Sequence, residues 1–285
     1  MKDETIYSTD DIAGTYTAVD EHIGKRRHIR RYSENRDDIR DVALRGLDVT
    51  GTVRALDLGC SYGFFTEKLV RCLGPQADIT GIDLIDEGNR ACFLRILRDA
   101  GSSGRFIAGK ADLIKTMADG SFDLVAASYS LYFFPHLIGE ISRILSRDGV
   151  FVALTHTEDS LKELIGLIPL PGSGEEVRRE PAISRLFRVF SMENGEERLK
   201  DYFGTIERIP YPNRLVFPLE HIEDCYDYVL KKRTLMFKET LDTDPGRLDG
   251  IVEEFFRRVR ASAREKRVLE ITKDDCVFRC RDPLR

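Results

Sequence analysis

From residue 53 onward, short apolar runs alternate with longer segments whose apolar positions recur every three or four residues. The first pattern predicts buried strands and the second predicts amphipathic helices. Runs at 53–58, 78–82, 105–108, 122–128 and 150–154 read as five strands. Helical segments at 64–73, 87–100 and 137–145 end at Gly74-Pro75, at Gly101 and at the turn Ser146-Arg147-Asp148-Gly149. A further helix is expected over 33–45, with Ser33 as its cap, Ile39, Val42 and Ala43 on one face and Gly46 as its stop. Strands joined by helical crossovers run parallel, with helices on both faces. The expected fold class is α/β, a doubly wound, mostly parallel sheet. Its ligand site belongs at the carboxyl ends of the central strands.

After residue 157 the pattern changes. Residues 159–168 read as helix, 169–174 as loop, 183–203 as a second helical region and 205–210 as a sixth strand. Residues 221–239 and 245–267 read as helices, and Ile251, Phe255 and Val259 recur in the latter at a spacing that signals packing. The runs 268–272 and 276–280 flank Lys273-Asp274-Asp275 and read as a terminal hairpin. The expected organisation is an N-terminal cover segment over 1–34 and a ligand-binding core over 35–217. A helical insertion or lid follows over 218–267, and the hairpin at 268–285 completes the core sheet.

Composition narrows the function classes. The chain has 285 residues, a formal charge of −5 and 42% hydrophobic content, which suits one large α/β domain carrying an insertion. No apolar run reaches membrane-helix length, and residues 1–11 are polar and acidic, unlike a signal peptide. A cytoplasmic location with no membrane partner is expected. The six cysteines show no CxxC pair, so reduced thiols and no metal site are expected. Mild acidity argues against a dedicated nucleic-acid binder. The basic stretches at 25–31 and 257–267 contain or adjoin acids, which reads as solvated helix faces.

The chemistry concentrates at strand ends. Asp57-Leu58-Gly59-Cys60-Ser61-Tyr62-Gly63 joins the first strand to a helix. Glycines there allow a tight turn and close approach of a ligand to the backbone. The G-x-G-x-x-G spacing of a dinucleotide site is missing. An acid just before Gly59 suits a ligand bearing an ammonium group rather than a pyrophosphate. Asp83 ends the second strand, where a carboxylate can accept both hydroxyls of a ribose. Asp112 follows the third strand and is placed to accept from an adenine amine. Ser128 ends the fourth.

Taken together, residues 53–157 resemble the class I, Rossmann-like S-adenosylmethionine (SAM)-dependent methyltransferases. Residues 55–63 are similar to that family's first motif, Gly81-Ile82-Asp83 to its ribose acid, and Gly109-Lys110-Ala111-Asp112 to its adenine-side acid. Residues 121–125 and 140–150 are similar to its fourth strand and its entry to the fifth. The resemblance implies a seven-stranded sheet whose last strand is antiparallel. It implies SAM as cofactor and S-adenosylhomocysteine as product. It also implies a cofactor site of Asp57, Gly59, Cys60, Ser61, Gly63, Asp83, Leu84, Asp112, Leu113 and Ser128. Ser61 stands where many members have a third glycine, so its φ must suit the loop.

Methyl transfer from a sulfonium rests on alignment and water exclusion, and a base is needed only if the acceptor must lose a proton. His156, at the end of the fifth strand, reads either as that base or a substrate contact, or as a capping histidine. Tyr129, with Tyr132, Phe133 and Phe134, reads either as a pocket wall or as core. His136 reads as structural. Arg30 or Arg31 reads either as a partner for the SAM carboxylate or as part of a solvated face. The aromatic residues of the insertion, Tyr226, Tyr228, Phe237, Phe255 and Phe256, suit an apolar or mixed small molecule. The expectation is a small-molecule methyltransferase, monomeric or homodimeric, working by in-line displacement. An RNA or protein methyltransferase and a non-catalytic SAM-binding protein are the alternatives.

Overall fold

The computed structural model describes residues 6–47, 49, 53–169 and 180–284. Residues 170–174 of the expected loop lie outside this set. Nine strands follow in chain order: β1 (Arg54–Leu58), β2 (Asp78–Asp83), β3 (Ser103–Ala108), β4 (Phe122–Ser128), β5 (Leu145–His156), β6 (Phe203–Tyr211), β7 (Arg214–Pro218), β8 (Val268–Thr272) and β9 (Asp275–Pro283).

Seven of them form one sheet in the order β3-β2-β1-β4-β5-β9-β6. β1 to β5 pair in parallel, while β9 pairs antiparallel with both β5 and β6. Buried on both faces, the central strands need apolar side chains in both alternating sets. Ala55, Leu124 and Val152 join Leu69, Phe93 and Leu97 of the flanking helices in one continuous cluster. Leu56, Val125 and Phe151, pointing the other way, are also fully buried. This is the doubly wound α/β fold expected from the alternation.

The chain divides into two compact units. The sheet unit contains 37–157, 189–211 and 275–285. The second unit contains 1–36, 158–188 and 212–274, so the N-terminal segment and the insertion belong to one body. Its strands β7 and β8 pair antiparallel as a two-stranded ribbon. Tyr32 stacks on Phe217 with ring centroids 4.3 Å apart, and Phe237 meets Phe255 edge-on at 5.4 Å. Among the described residues no helix is long and apolar enough to cross a membrane.

Three expectations are corrected. The terminal hairpin does not form: β8 pairs with β7, and β9 enters the large sheet alone. A two-residue connection suited a hairpin locally, but Cys276, Val277, Phe278 and Cys280 of β9 become fully buried between β5 and β6. The helix expected over 33–45 is confined to Ile39–Leu44, capped by the Asp38 side chain, which accepts from the Arg40 N–H at 3.0 Å. Ser33 instead ends the helix Val19–Tyr32 and bridges to Leu215 of β7. Finally, Tyr228, Phe237 and Phe255 are fully buried within the second unit and serve as its core.

Gly104 supplies a sharp test of the sheet. It sits at φ +153, and a Cβ there would lie 2.1 Å from the Ile79 carbonyl oxygen of β2. Gly101, at φ +68, has open space around it. Gly104→Ala should therefore cost about 2–4 kcal/mol in denaturant unfolding, against about 1 kcal/mol for Gly101→Ala. Equal costs would mean that β2 and β3 do not approach as described.

Candidate active site

The loop between β1 and the helix Thr66–Leu73 is built by backbone contacts. The N–H groups of Gly59 and Cys60 both donate to the Ile82 carbonyl, at 2.8 and 3.2 Å. Gly63 N–H donates to Cys60 O at 2.9 Å, closing the turn. Gly59 lies at φ +77, and a Cβ there would come within 2.5 Å of Ser130 Cβ. Ser130 is needed at that spot because its hydroxyl donates to the Leu58 carbonyl at 2.7 Å. Ser61 takes φ +48, so serine adopts a left-handed conformation that a glycine would reach without strain. Arg40 holds the loop's far end, donating to the Phe64 carbonyl at 2.7 Å while paired with Asp38.

Asp57, one residue before the end of β1, and Asp83, the last residue of β2, lie on adjacent strands, and the Asp83 charge acts on Asp57. Asp57 is fully buried. Its Oδ2 accepts from Thr66 Oγ1 at 2.5 Å, and its Oδ1 is buried with no hydrogen-bond partner among the described residues. Burial, with the Asp83 charge adding to it, pushes the Asp57 carboxyl up to about 7. Asp83 clamps the loop: its Oδ2 accepts from Ser61 N–H at 2.7 Å, and its Oδ1 from Ile85 N–H at 3.0 Å. Burial raises its pKa above the ordinary carboxylate value. Asn89, which sequence reasoning passed over, adds a contact to Asp83 Oδ1 at 3.5 Å.

The other expected residues are distributed around these two acids. Cys60 is buried, and burial pushes its thiol up. Leu84 and Leu113 are half-buried. Gly109, next to Leu113, donates its N–H to the Asp83 carbonyl at 2.8 Å, which ties the end of β3 to the end of β2. Asp112 is the outlier. It is well exposed and accepts from Lys115 at 2.5 Å and His136 at 3.4 Å. Lys115, then His136, holds its carboxyl below the usual value. Ser128 ends β4 with a buried hydroxyl that has no hydrogen-bond partner among the described residues.

At the ends of β4 and β5 the structure brings Tyr129 and His156 together, with ring centroids 4.8 Å apart. Both touch one buried carboxylate. Asp275 takes His156 Nδ1 at 2.7 Å on Oδ1 and the Tyr129 hydroxyl at 2.8 Å on Oδ2. Sequence reasoning missed Asp275 by reading it as a turn residue. Its signal was available in the antiparallel last strand, whose first residue must lie at the carboxyl ends of the parallel strands. Within the second unit, the basic stretch has acidic partners: His28 meets Asp227 at 2.6 Å and Arg31 meets Asp224 at 3.0 Å.

Comparison with known proteins bears on this geometry. Residues 56–153 match the methyltransferase domain family. A malonyl-[acyl-carrier protein] O-methyltransferase of Legionella pneumophila is 33% identical over 115 residues, covering 39% of this chain and 39% of that one. A demethylmenaquinone methyltransferase of Lactococcus lactis is 28% identical over 117 residues, 40% of this chain and 46% of that one. In both, the match spans less than half of the relative's length. The fold resembles phosphoethanolamine N-methyltransferase 2 of Haemonchus contortus, solved with phosphomonomethylethanolamine and S-adenosylhomocysteine. That likeness has a TM-score of 0.53 at 16% identity, covering 98% of this chain and 61% of that one. Residues 56–153 thus resemble a methyltransferase domain, and the sheet has the Rossmann-like fold seen in solved methyltransferases.

The buried acid makes a measurable demand. A carboxyl raised from 3.8 to about 7 favours folding while protonated. That contribution is complete below pH ~4 and is lost as pH rises through about 7. Asp57→Asn should therefore be more stable than the wild type at pH 8, by on the order of 4 kcal/mol in denaturant unfolding of the ligand-free protein. The difference should vanish by pH 4. A difference independent of pH would show that Asp57 is not the buried titrating group.

Proposed function

We propose that this chain transfers a methyl group from SAM to a small-molecule acceptor by direct in-line displacement. The observation that carries the reading is the Asp57–Asp83 pair. Two carboxylates, one fully buried with an oxygen that has no partner among the described residues, stand near the ends of adjacent strands beside a tight backbone loop. Such a site calls for a ligand with a cation for one acid and hydroxyls for the other, which are the ammonium and ribose of SAM.

Each residue then has a role. Asp57 takes the ammonium, and the 59–63 loop lies along the amino-acid end. Asp83 keeps the loop in shape and accepts the ribose hydroxyls with its remaining lone pairs. Leu84 and Leu113 flank the adenine, whose amine would share Asp112 with Lys115. Ser128 borders the methyl side, with Tyr129 and His156 beyond it as catalytic candidates. SAM supplies an electrophilic methyl on a sulfonium, so the protein's task is to align the acceptor and exclude water.

The small-molecule reading is supported by the acidic partners of the basic stretches. Arg258 meets Glu254 at 2.7 Å, and Arg260 pairs with Glu223, so these cations are already engaged within the chain. A cytoplasmic location accords with the reading.

Calorimetry with SAM and S-adenosylhomocysteine tests the cofactor. Binding should be lost by about 1–3 kcal/mol in Asp83→Ala, which leaves hydroxyl donors unpaired. Affinity should rise between pH 5 and about 7, because the ammonium needs ionised Asp57, and should level off above that. Asp57→Asn should bind weakly with no such slope. No binding at millimolar ligand would sink the proposal. A tritium-transfer screen over metabolite pools and tRNA tests the acceptor class, and label in tRNA alone would replace small molecule by RNA.

A further inference from the structure

We propose that Asp275 is a positioning residue that aims His156 as a proton acceptor. The methyl acceptor is accordingly a hydroxyl or amine that must give up a proton. This rests on the methyltransferase reading above.

Asp275 opens β9, where its register partners are His156 on β5 and Tyr211 on β6. Its two oxygens are divided between two side chains, Nδ1 of His156 at 2.7 Å and the Tyr129 hydroxyl at 2.8 Å. A carboxylate only accepts, so Nδ1 carries the imidazole proton. In the neutral ring the basic lone pair then belongs to Nε2. The imidazole and carboxylate are 9% and 6% exposed, so the pairing is held in a low dielectric and stays unscreened. The ring is packed against Tyr129 and lies 5.8 Å from the Tyr132 ring, nearly parallel to it.

Tyr129 is itself held in an unfavourable conformation. Its φ is +56, a left-handed value that costs a non-glycine residue about 1–2 kcal/mol. The Tyr129 N–H bond to Leu154 O at 2.9 Å and the hydroxyl bond to Asp275 together maintain it. Strain kept in place by specific contacts clusters at functional sites. A buried carboxylate hydrogen-bonded to an imidazole is also a poor stabiliser compared with apolar side chains of the same size.

The chemistry balances. The acceptor's lone pair forms the new bond to the methyl carbon, and the electron pair of the carbon–sulfur bond stays on sulfur. The acceptor's proton passes to Nε2. The resulting imidazolium is stabilised by Asp275 and returns the proton to water. Carboxylate or thioether acceptors have no proton to surrender and would not use this device.

The first test needs no ligand. In full-length protein carrying ¹⁵N-histidine, His156 is assigned with His156→Gln and its tautomer read by NMR. The wild type should show one tautomer, protonated at Nδ1. Asp275→Ala should give a mixture, and Asp275→Glu should restore the single form. An Nε2-protonated wild type, or a tautomer unchanged in Asp275→Ala, would overturn the positioning role. Should Asp275→Ala not fold, Asp275→Asn serves instead: its amide can donate to Nδ1, which should raise the share of the Nε2-protonated tautomer, and an unchanged Nδ1-protonated ring would overturn the role.

Tritium transfer from SAM is then measured into two pools, one of phenols, alcohols and amines, the other of carboxylates and thioethers. Label should enter the first pool. His156→Gln should lower kcat by about 10²–10⁴-fold and Asp275→Ala by at least ~10-fold, with KM little changed and Asp275→Glu recovering part of the loss. No label in the first pool, or an undiminished rate in His156→Gln, would overturn the acceptor assignment. Calorimetry with SAM on every variant separates the two readings. A chain that binds no SAM fails the methyltransferase proposal, whatever its histidine tautomer.

Discussion

The direction of β9 is the constraint on which the rest depends. Parallel strands present only their carboxyl ends at the ligand edge of a sheet. By running antiparallel between β5 and β6, β9 brings its first residue to that same edge. Asp275, the first residue of that strand, thereby meets His156 and Tyr129 at the carboxyl ends of β4 and β5. The same pairing makes Tyr211, ending β6, the register partner of Asp275. The chain therefore leaves the sheet and re-enters it at neighbouring points. Residues 212–274 form part of a separate body between those points without disturbing the sheet.

A second dependence runs through charge. Burying Asp57 beside Asp83 is unfavourable in isolation, which is why burial pushes the Asp57 carboxyl up to about 7. The arrangement is tolerated because surrounding donors hold both acids. Thr66 serves Asp57, while Ser61, Ile85 and Asn89 serve Asp83. Asp83 thus organises the loop by accepting the N–H of Ser61, and Ser61 occupies its strained φ in return. Site and loop are one cooperative object, and a change in either acid is felt in the backbone.

The alternation of apolar runs and amphipathic segments was enough to place the parallel strands and their order of chemistry. Asp57, Asp83 and Ser128 stand at strand ends because local periodicity specifies where each strand stops, and that information lies within a few residues. Ser33 misled, because a serine before a helical pattern is a good cap by composition. Whether it caps the next helix or ends the previous one depends on Leu215, some 180 positions away. Tyr228, Phe237 and Phe255 misled in the same sense, since an aromatic residue's destination, core or pocket, is decided by what packs on it.

The sequence by itself determined the class of fold, the tight loop after β1 and the placing of acids near adjacent strand ends, because these are set by short-range pattern and spacing. Tertiary structure alone decided that β8 turns away to β7 and that β9 enters the large sheet. It alone joined Asp275 to His156, 119 positions apart in the chain. Local turn signals favour a hairpin at 273–275, and only the burial of β9 between two strands, visible in no short window of sequence, overrides them.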